Sequence, residues 1–177
     1  MRRLTVALAL ITLALPGCRI RKKAQQNQAA VDDGQLASVV NAGDPHRAVQ
    51  FVRGFYGIEN QSWRWTAKNF TVTLRPVKGS DIKGAKLELK LVIPEVMFNR
   101  VGAMTVDGKV NGLDLGPETF SSAGDATYTR DVPPVVLAGD AVSFDFSVDK
   151  GLPPSEKDPR ELAVIVSSVG LLPKAAK

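Results

Sequence analysis

Leu87, Leu89, Leu91 and Ile93 occupy every second position of one stretch, and Val142, Phe144, Phe146 and Val148 repeat the pattern in another. A strict period of two puts every apolar side chain on one side of an extended strand, whereas a helix would scatter them around its axis. Both stretches are therefore expected to be strands with one face in a core, leaving Glu88 and Lys90, or Ser143 and Asp145, on the opposite face. Weaker alternation marks residues 49–55, 62–66, 70–74, 104–110, 113–120, 127–132 and 162–169. Asn111-Gly112 separates two of these segments, and that pair favours the positive φ values of a tight hairpin turn. Pro76, Pro94, Pro133-Pro134 and Pro153-Pro154 punctuate other joins. No stretch sustains a helical period over three turns. The expected fold is all-β: a two-sheet antiparallel sandwich of about eight or nine strands over residues 47–172, of the jelly-roll kind.

The amino terminus follows different rules. Met1-Arg2-Arg3 precedes an uncharged apolar run from Leu4 to Leu15, which ends in Pro16-Gly17-Cys18, and Cys18 is the only cysteine of the chain. About 20 helical residues are needed to cross a hydrocarbon core, so this run is too short for a permanent transmembrane helix and reads as a secretory signal. Leu15, Gly17 and Cys18 resemble the lipobox of bacterial lipoprotein signals. That resemblance implies a signal peptide over residues 1–17, removed before Cys18, and acylation of the Cys18 thiol with palmitate-type chains. It places the folded domain in the cell envelope, extracytoplasmic and held to a lipid bilayer. Arg19 stands where inner-membrane retention usually has Asp, so an outer membrane is the expected address in a cell with two.

Charge divides along the same boundary. Of the 23 Lys and Arg residues, six are Arg2, Arg3, Arg19, Arg21, Lys22 and Lys23, and without them the basic and acidic counts nearly cancel. The positive charge belongs to the terminus, where it suits anionic head groups or a soluble tether. A nucleic-acid partner would need a basic face on the domain itself and is not expected. Residues 24–46 are polar and small, which suits a flexible tether over residues 18–46, although Val31, Leu36, Val39 and Val40 allow a short helix. Residues 173–177 form a short C-terminal tail.

Gly54-Phe55-Tyr56, Glu59 and Trp63-Arg64-Trp65-Thr66, followed late in the chain by Pro153-Pro154 and Asp158-Pro159-Arg160-Glu161-Leu162, resemble the galactose-binding-like jelly-roll module of envelope and glycan-assembly proteins. The resemblance implies a sandwich and contact with saccharide. It brings no catalytic residues with it.

The residues themselves allow two readings. In a strand Trp63 and Trp65 share one face, while Arg64 and Thr66 share the other. Exposed indoles would form a platform for the apolar face of a sugar ring, with Glu59 positioned for hydroxyls; buried indoles would simply fill the core. Arg64, flanked by aromatics, needs solvent or a carboxylate, and Asp158 and Glu161 are its expected partners. Asp158, Arg160 and Glu161 complete the candidate ligand-binding set, either as a polar pocket or as a structural ion-pair cluster.

Catalytic constellations are missing. His46 is the sole histidine and lies at the end of the tether, which argues against Ser-His-Asp and Cys-His nucleophiles and against a His/Cys zinc site. Gly79-Ser80 lacks the G-x-S-x-G turn, and no phosphate loop is present. Glu59, Glu95, Glu118, Asp158 and Glu161 are scattered as composition alone would scatter them. Asp125, Asp140 and Asp149 lack the dense spacing of a calcium loop. No enzyme activity, cofactor or metal is expected. Two classes of function remain: a lipid-anchored carbohydrate-binding module, and an envelope scaffold that offers a sheet face to another protein.

Overall fold

The computed structural model describes residues 35–174, and all but the first three residues of the compact unit Asp32–Lys177 up to Lys174 fall within that span. Leu15, Gly17, Cys18 and the basic cluster lie outside the described residues. Ten strands are described: β1 (Val39–Asn41), β2 (Phe51–Glu59), β3 (Trp63–Leu74), β4 (Ala85–Ile93), β5 (Met104–Val110), β6 (Leu113–Asp114), β7 (Glu118–Phe120), β8 (Gly124–Val132), β9 (Val142–Val148) and β10 (Ile165–Pro173). Short helices α1 (Ser80–Lys83) and α2 (Glu95–Val101) and two 3-10 turns join them.

All pairings are antiparallel, and they form one curled sheet whose two halves face each other. One half runs β8-β4-β10-β1. The other runs from β6 and β7 through β5, β9 and β3 to β2. A single long strand joins them. The first residues of β3 pair with β10 at Trp65↔Ile165 and Arg64↔Val166, and its last residues pair with β9 from Asn69↔Ser147 to Leu74↔Val142. The expected segments 62–66 and 70–74 are thus one strand that serves both halves.

Period-two alternation does what a strand requires. In β4 Ala85, Leu87, Leu89, Leu91 and Ile93 are buried, as are Val142, Phe144, Phe146 and Val148 in β9. Phe146 stacks on Phe70 at 5.1 Å and meets Tyr128 edge-on at 6.1 Å, which carries packing from one half to the other. Burial of such side chains stabilises by about 1.5–3 kcal/mol each. Asn111 and Gly112 have φ values of 48° and 80°, as the expected hairpin needs.

Three details differ from expectation. Residues 39–41 form strand β1 on the edge of β10 instead of a helix, and Val40 and Ala42 are fully buried, so the sandwich begins before Arg47. The span 113–120 breaks into β6 and β7, because Leu115, Gly116 and Pro117 interrupt the pairing with β5. The helices escaped notice because four and seven residues are too few to show a period.

Candidate functional site

The site starts from the β2–β3 hairpin. Asn60 and Gln61 are the central residues of the turn in its three-residue connection, with φ values of 48° and 54°. Positive φ matches the right-handed twist of hairpin strands, but Gln adopts it reluctantly. The turn is tied by the Ser62 N–H donating to the Glu59 carbonyl at 3.1 Å and by Ser62 Oγ donating to the Asn60 carbonyl at 3.0 Å. It fixes the register at Glu59↔Trp63 and Ile58↔Arg64.

Alternation then assigns faces. Trp63 and Trp65 lie on the outer face, each partly covered and partly open to solvent, while Arg64 and Thr66 are buried on the inner face. The two indoles meet edge to face, with ring centroids 6.3 Å apart. Trp65 stands opposite Ile165, which stands opposite Val92, so a half-exposed apolar row continues from the indoles across the sheet.

Glu59, directly across from Trp63, brings in the late motif. Arg160 donates from Nη1 to Glu59 Oε1 at 2.8 Å and grips Asp158 with two bonds, Nε to Oδ1 at 2.9 Å and Nη2 to Oδ2 at 2.8 Å. Its guanidinium lies 5.3 Å from the Tyr56 ring centre, and the Tyr56 hydroxyl donates to the Glu161 carbonyl at 2.8 Å. The bidentate grip holds the Asp158 carboxyl down at about 2. Asp158, followed by Glu59, raises Arg160 above the usual arginine range. The side chains of Glu59, Asp158 and Arg160 remain about one-third exposed. A fork of fixed charge therefore stands beside an aromatic surface.

Two expected members sit elsewhere. Arg64 does not pair with Asp158 or Glu161. Its strand position turns it inward, where Nε donates to the Ala42 carbonyl and Nη1 to the Tyr56 carbonyl, both at 2.9 Å, and the guanidinium lies 5.1 Å from the Phe51 ring centre. Burial lowers its pKa. The carboxylate of Glu161 accepts the Lys68 N–H at 3.1 Å and pairs with Lys68 Nζ at 3.5 Å. Arg64 supports the patch from beneath, and Glu161 holds its flank.

Beside this hairpin lies a polar cleft of about 460 Å³, lined by Asn41, Gly43, Asp44, Gln61, Ser62, Ser167 and Ser168. Ser62, which lines the cleft, immediately precedes Trp63 in the chain, so the cleft borders the hairpin that carries the indoles. These polar residues come from three distant segments. Sequence reasoning missed them; the Asn60-Gln61 turn is the one local signal that marks the spot.

The arrangement suits recognition of a polar ligand with an apolar face. Indole surfaces take up ring C–H groups, and fixed amide, hydroxyl and carboxylate groups take up hydroxyls. His46 lies in the 3-10 turn Pro45–Gln50, where its N–H is capped by Asp44 Oδ1 at 2.9 Å. Among the described residues, no three His, Cys, Asp or Glu side chains gather as metal ligands would. No helix among them is long and apolar enough to cross a membrane.

No protein-family model matches the chain, and no curated protein matches its sequence. Solved structures do match its fold. A family GH115 4-O-methyl-alpha-glucuronidase with specificity for decorated arabinogalactans is similar over 80% of this chain at 10% identity and a TM-score of 0.50, and this chain spans 18% of its length. The family 35 carbohydrate-binding module from Clostridium thermocellum is similar over 76% of this chain and 97% of its own, at 14% identity and a TM-score of 0.46. CBM27-1 from Caldicellulosiruptor saccharolyticus, solved in complex with mannohexaose, is similar over 82% and 95%, at 12% identity and a TM-score of 0.43. The chain has an all-β antiparallel sandwich fold of the jelly-roll kind, shared with part of the glucuronidase.

Proposed function

We propose that this chain is a non-catalytic carbohydrate-binding protein of the bacterial envelope, held to a bilayer through acylated Cys18. The observation that carries the binding half is the pair of partly exposed indoles at Trp63 and Trp65, with Ser62 of the polar cleft next to Trp63 in the chain and Glu59 of the Glu59–Arg160–Asp158 fork opposite it. Trp65 also packs against the core, and the part of each indole left open is the surface a ligand would meet. A sugar ring laid on these two would keep its hydroxyls within reach of Gln61, Ser168 and the fork.

Immobilised-glycan retention tests this half. The wild-type protein is expected to be retarded by at least one envelope or extracellular polysaccharide, and Trp63→Ala and Trp65→Ala to run freely while still folded. Blank glycan arrays with a correctly folded wild type would end the reading. The anchor half rests on Leu15, Gly17 and Cys18 and is tested separately. Labelling with an alkynyl palmitate is expected to mark the wild type and not Cys18→Ser, and fractionation is expected to place the labelled protein in the outer membrane.

A further inference from the structure

α1 and the 3-10 turn Pro134–Val136 pack against each other beyond the far end of β3. Each turns an aliphatic side chain outward: Ile82 is 77% exposed and Val135 is 81% exposed. Beside them is a small cleft of about 120 Å³ bordered by Lys78, Ser80, Lys83 and Lys174. Among the described residues, no acidic side chain lines it. Asp131 lies nearby through its 3.3 Å ion pair with Lys174, and Asp81 and Asp140 line the larger neighbouring cleft. Ser80 is only 2% exposed, yet its hydroxyl has no hydrogen-bond partner. A buried donor in a cleft bordered by three lysines, one of them paired with Asp131, lacks an acceptor, and an oxyanion is the acceptor that fits.

Two further facts say where that oxyanion comes from. Gln35, the first described residue, lines a third cleft together with Arg75 and Asp140, which also line the larger one, so the described chain enters the domain at this end. In addition, β3 leads from Trp63 to Leu74 over 12 residues, roughly 40 Å at strand rise. A surface bound at α1 would leave the indoles at the opposite end of that strand.

We propose that this end of the sandwich docks directly on an anionic phospholipid surface, with a headgroup phosphate in the Lys78–Lys83–Lys174 cleft, Ser80 donating to it, and Ile82 and Val135 entering the interfacial layer. The docking needs neither acylated Cys18 nor the glycan site. It is a second, reversible contact made by the domain itself.

The experiment uses residues 32–177, which contain every described core residue from Val40 to Leu171 and none of the signal. Co-flotation is measured with phosphatidylcholine vesicles, with and without phosphatidylglycerol. Binding is expected only with the anionic lipid and is expected to weaken with salt. Each lysine near such a surface contributes roughly a factor of five, so Lys78→Ala/Lys83→Ala/Lys174→Ala should lower partitioning by about 100-fold. Ile82→Ser/Val135→Ser should lower it with the lysines intact. Circular dichroism checks that both variants stay folded. Equal partitioning to neutral vesicles, or unchanged binding by the folded triple variant, overturns the proposal. So does a Ser80 amide shift with inorganic phosphate alone and no flotation, which would make the cleft a site for a soluble anion.

Discussion

Trp63 and Trp65 contact one another edge to face, their ring planes inclined at 81° on the outer side of β3. They are the only tryptophans in the chain, so fluorescence excited selectively at tryptophan reports on this patch. Acrylamide is expected to quench both in the free protein, and a bound glycan to protect them. Because each indole is partly exposed, truncation to alanine should cost about 1–2 kcal/mol, below the ~3–5 kcal/mol of a fully buried aromatic. Urea unfolding checks the cost. A loss at the buried level in both variants would mark the indoles as structural.

Arg64 is expected to matter for stability, not for ligand contact. Its guanidinium satisfies the Ala42 and Tyr56 carbonyls inside the sandwich, tying the β1 edge to the strand that carries Tyr56. Arg64→Met keeps the aliphatic stem and abandons both carbonyls, which should destabilise the fold by roughly 2–4 kcal/mol. Urea midpoints measure the loss. At temperatures where the variant is folded, its glycan retention should match the wild type.

Acid should open the charged fork. Asp158 is held at about 2, against an ordinary 3.8, first by its side-chain hydrogen bonds to Arg160. A carboxyl whose folded pKa is depressed favours the folded state at all pH above its ordinary value, and this contribution disappears as pH falls from 3.8 to about 2. Arg160 should then lose its grip, and glycan retention should fall in the same window. Carbon-detected titration of the Asp158 carboxyl follows the first event. Asp158→Asn should be insensitive there, and a midpoint near 3.8 in the wild type would show that the fork does not hold in solution.

How much of this was legible in the sequence depends on range. Alternation in 87–93 and 142–148 marked two core strands because a strand's faces are fixed by its own residues. The same logic put Trp63 and Trp65 on one face and Arg64 on the other, but it could not say which face was the core. That was decided by the pairing of β3 with β10, 98 positions or more along the chain, as in the Thr66–Val164 contact. Arg64 therefore found carbonyls where carboxylates were expected. Arg160 took Asp158 because the two are only two residues apart, and Glu59 because the hairpin register sets it opposite Trp63. The polar cleft was illegible because Asn41, Gln61 and Ser167 become neighbours only when β1 joins β10.

Gly43 gives the sharpest test of the cleft. Its Cα faces the backbone of the hairpin turn, and a Cβ there would run into the Gln61 carbonyl and come within 2.7 Å of Ser62 Cα. Backbone cannot step aside as a flexible side chain can. Gly43→Ala should therefore push the Asn60-Gln61 turn outward, at a cost of about 1–3 kcal/mol, and spoil the cleft it lines. Glycan retention should drop while Trp63 and Trp65 remain in place. Gly57→Ala, where nothing lies within 4 Å of the added carbon, is the matched control on the same hairpin. Equal retention by both variants would separate the cleft from the indoles and restrict binding to the aromatic surface.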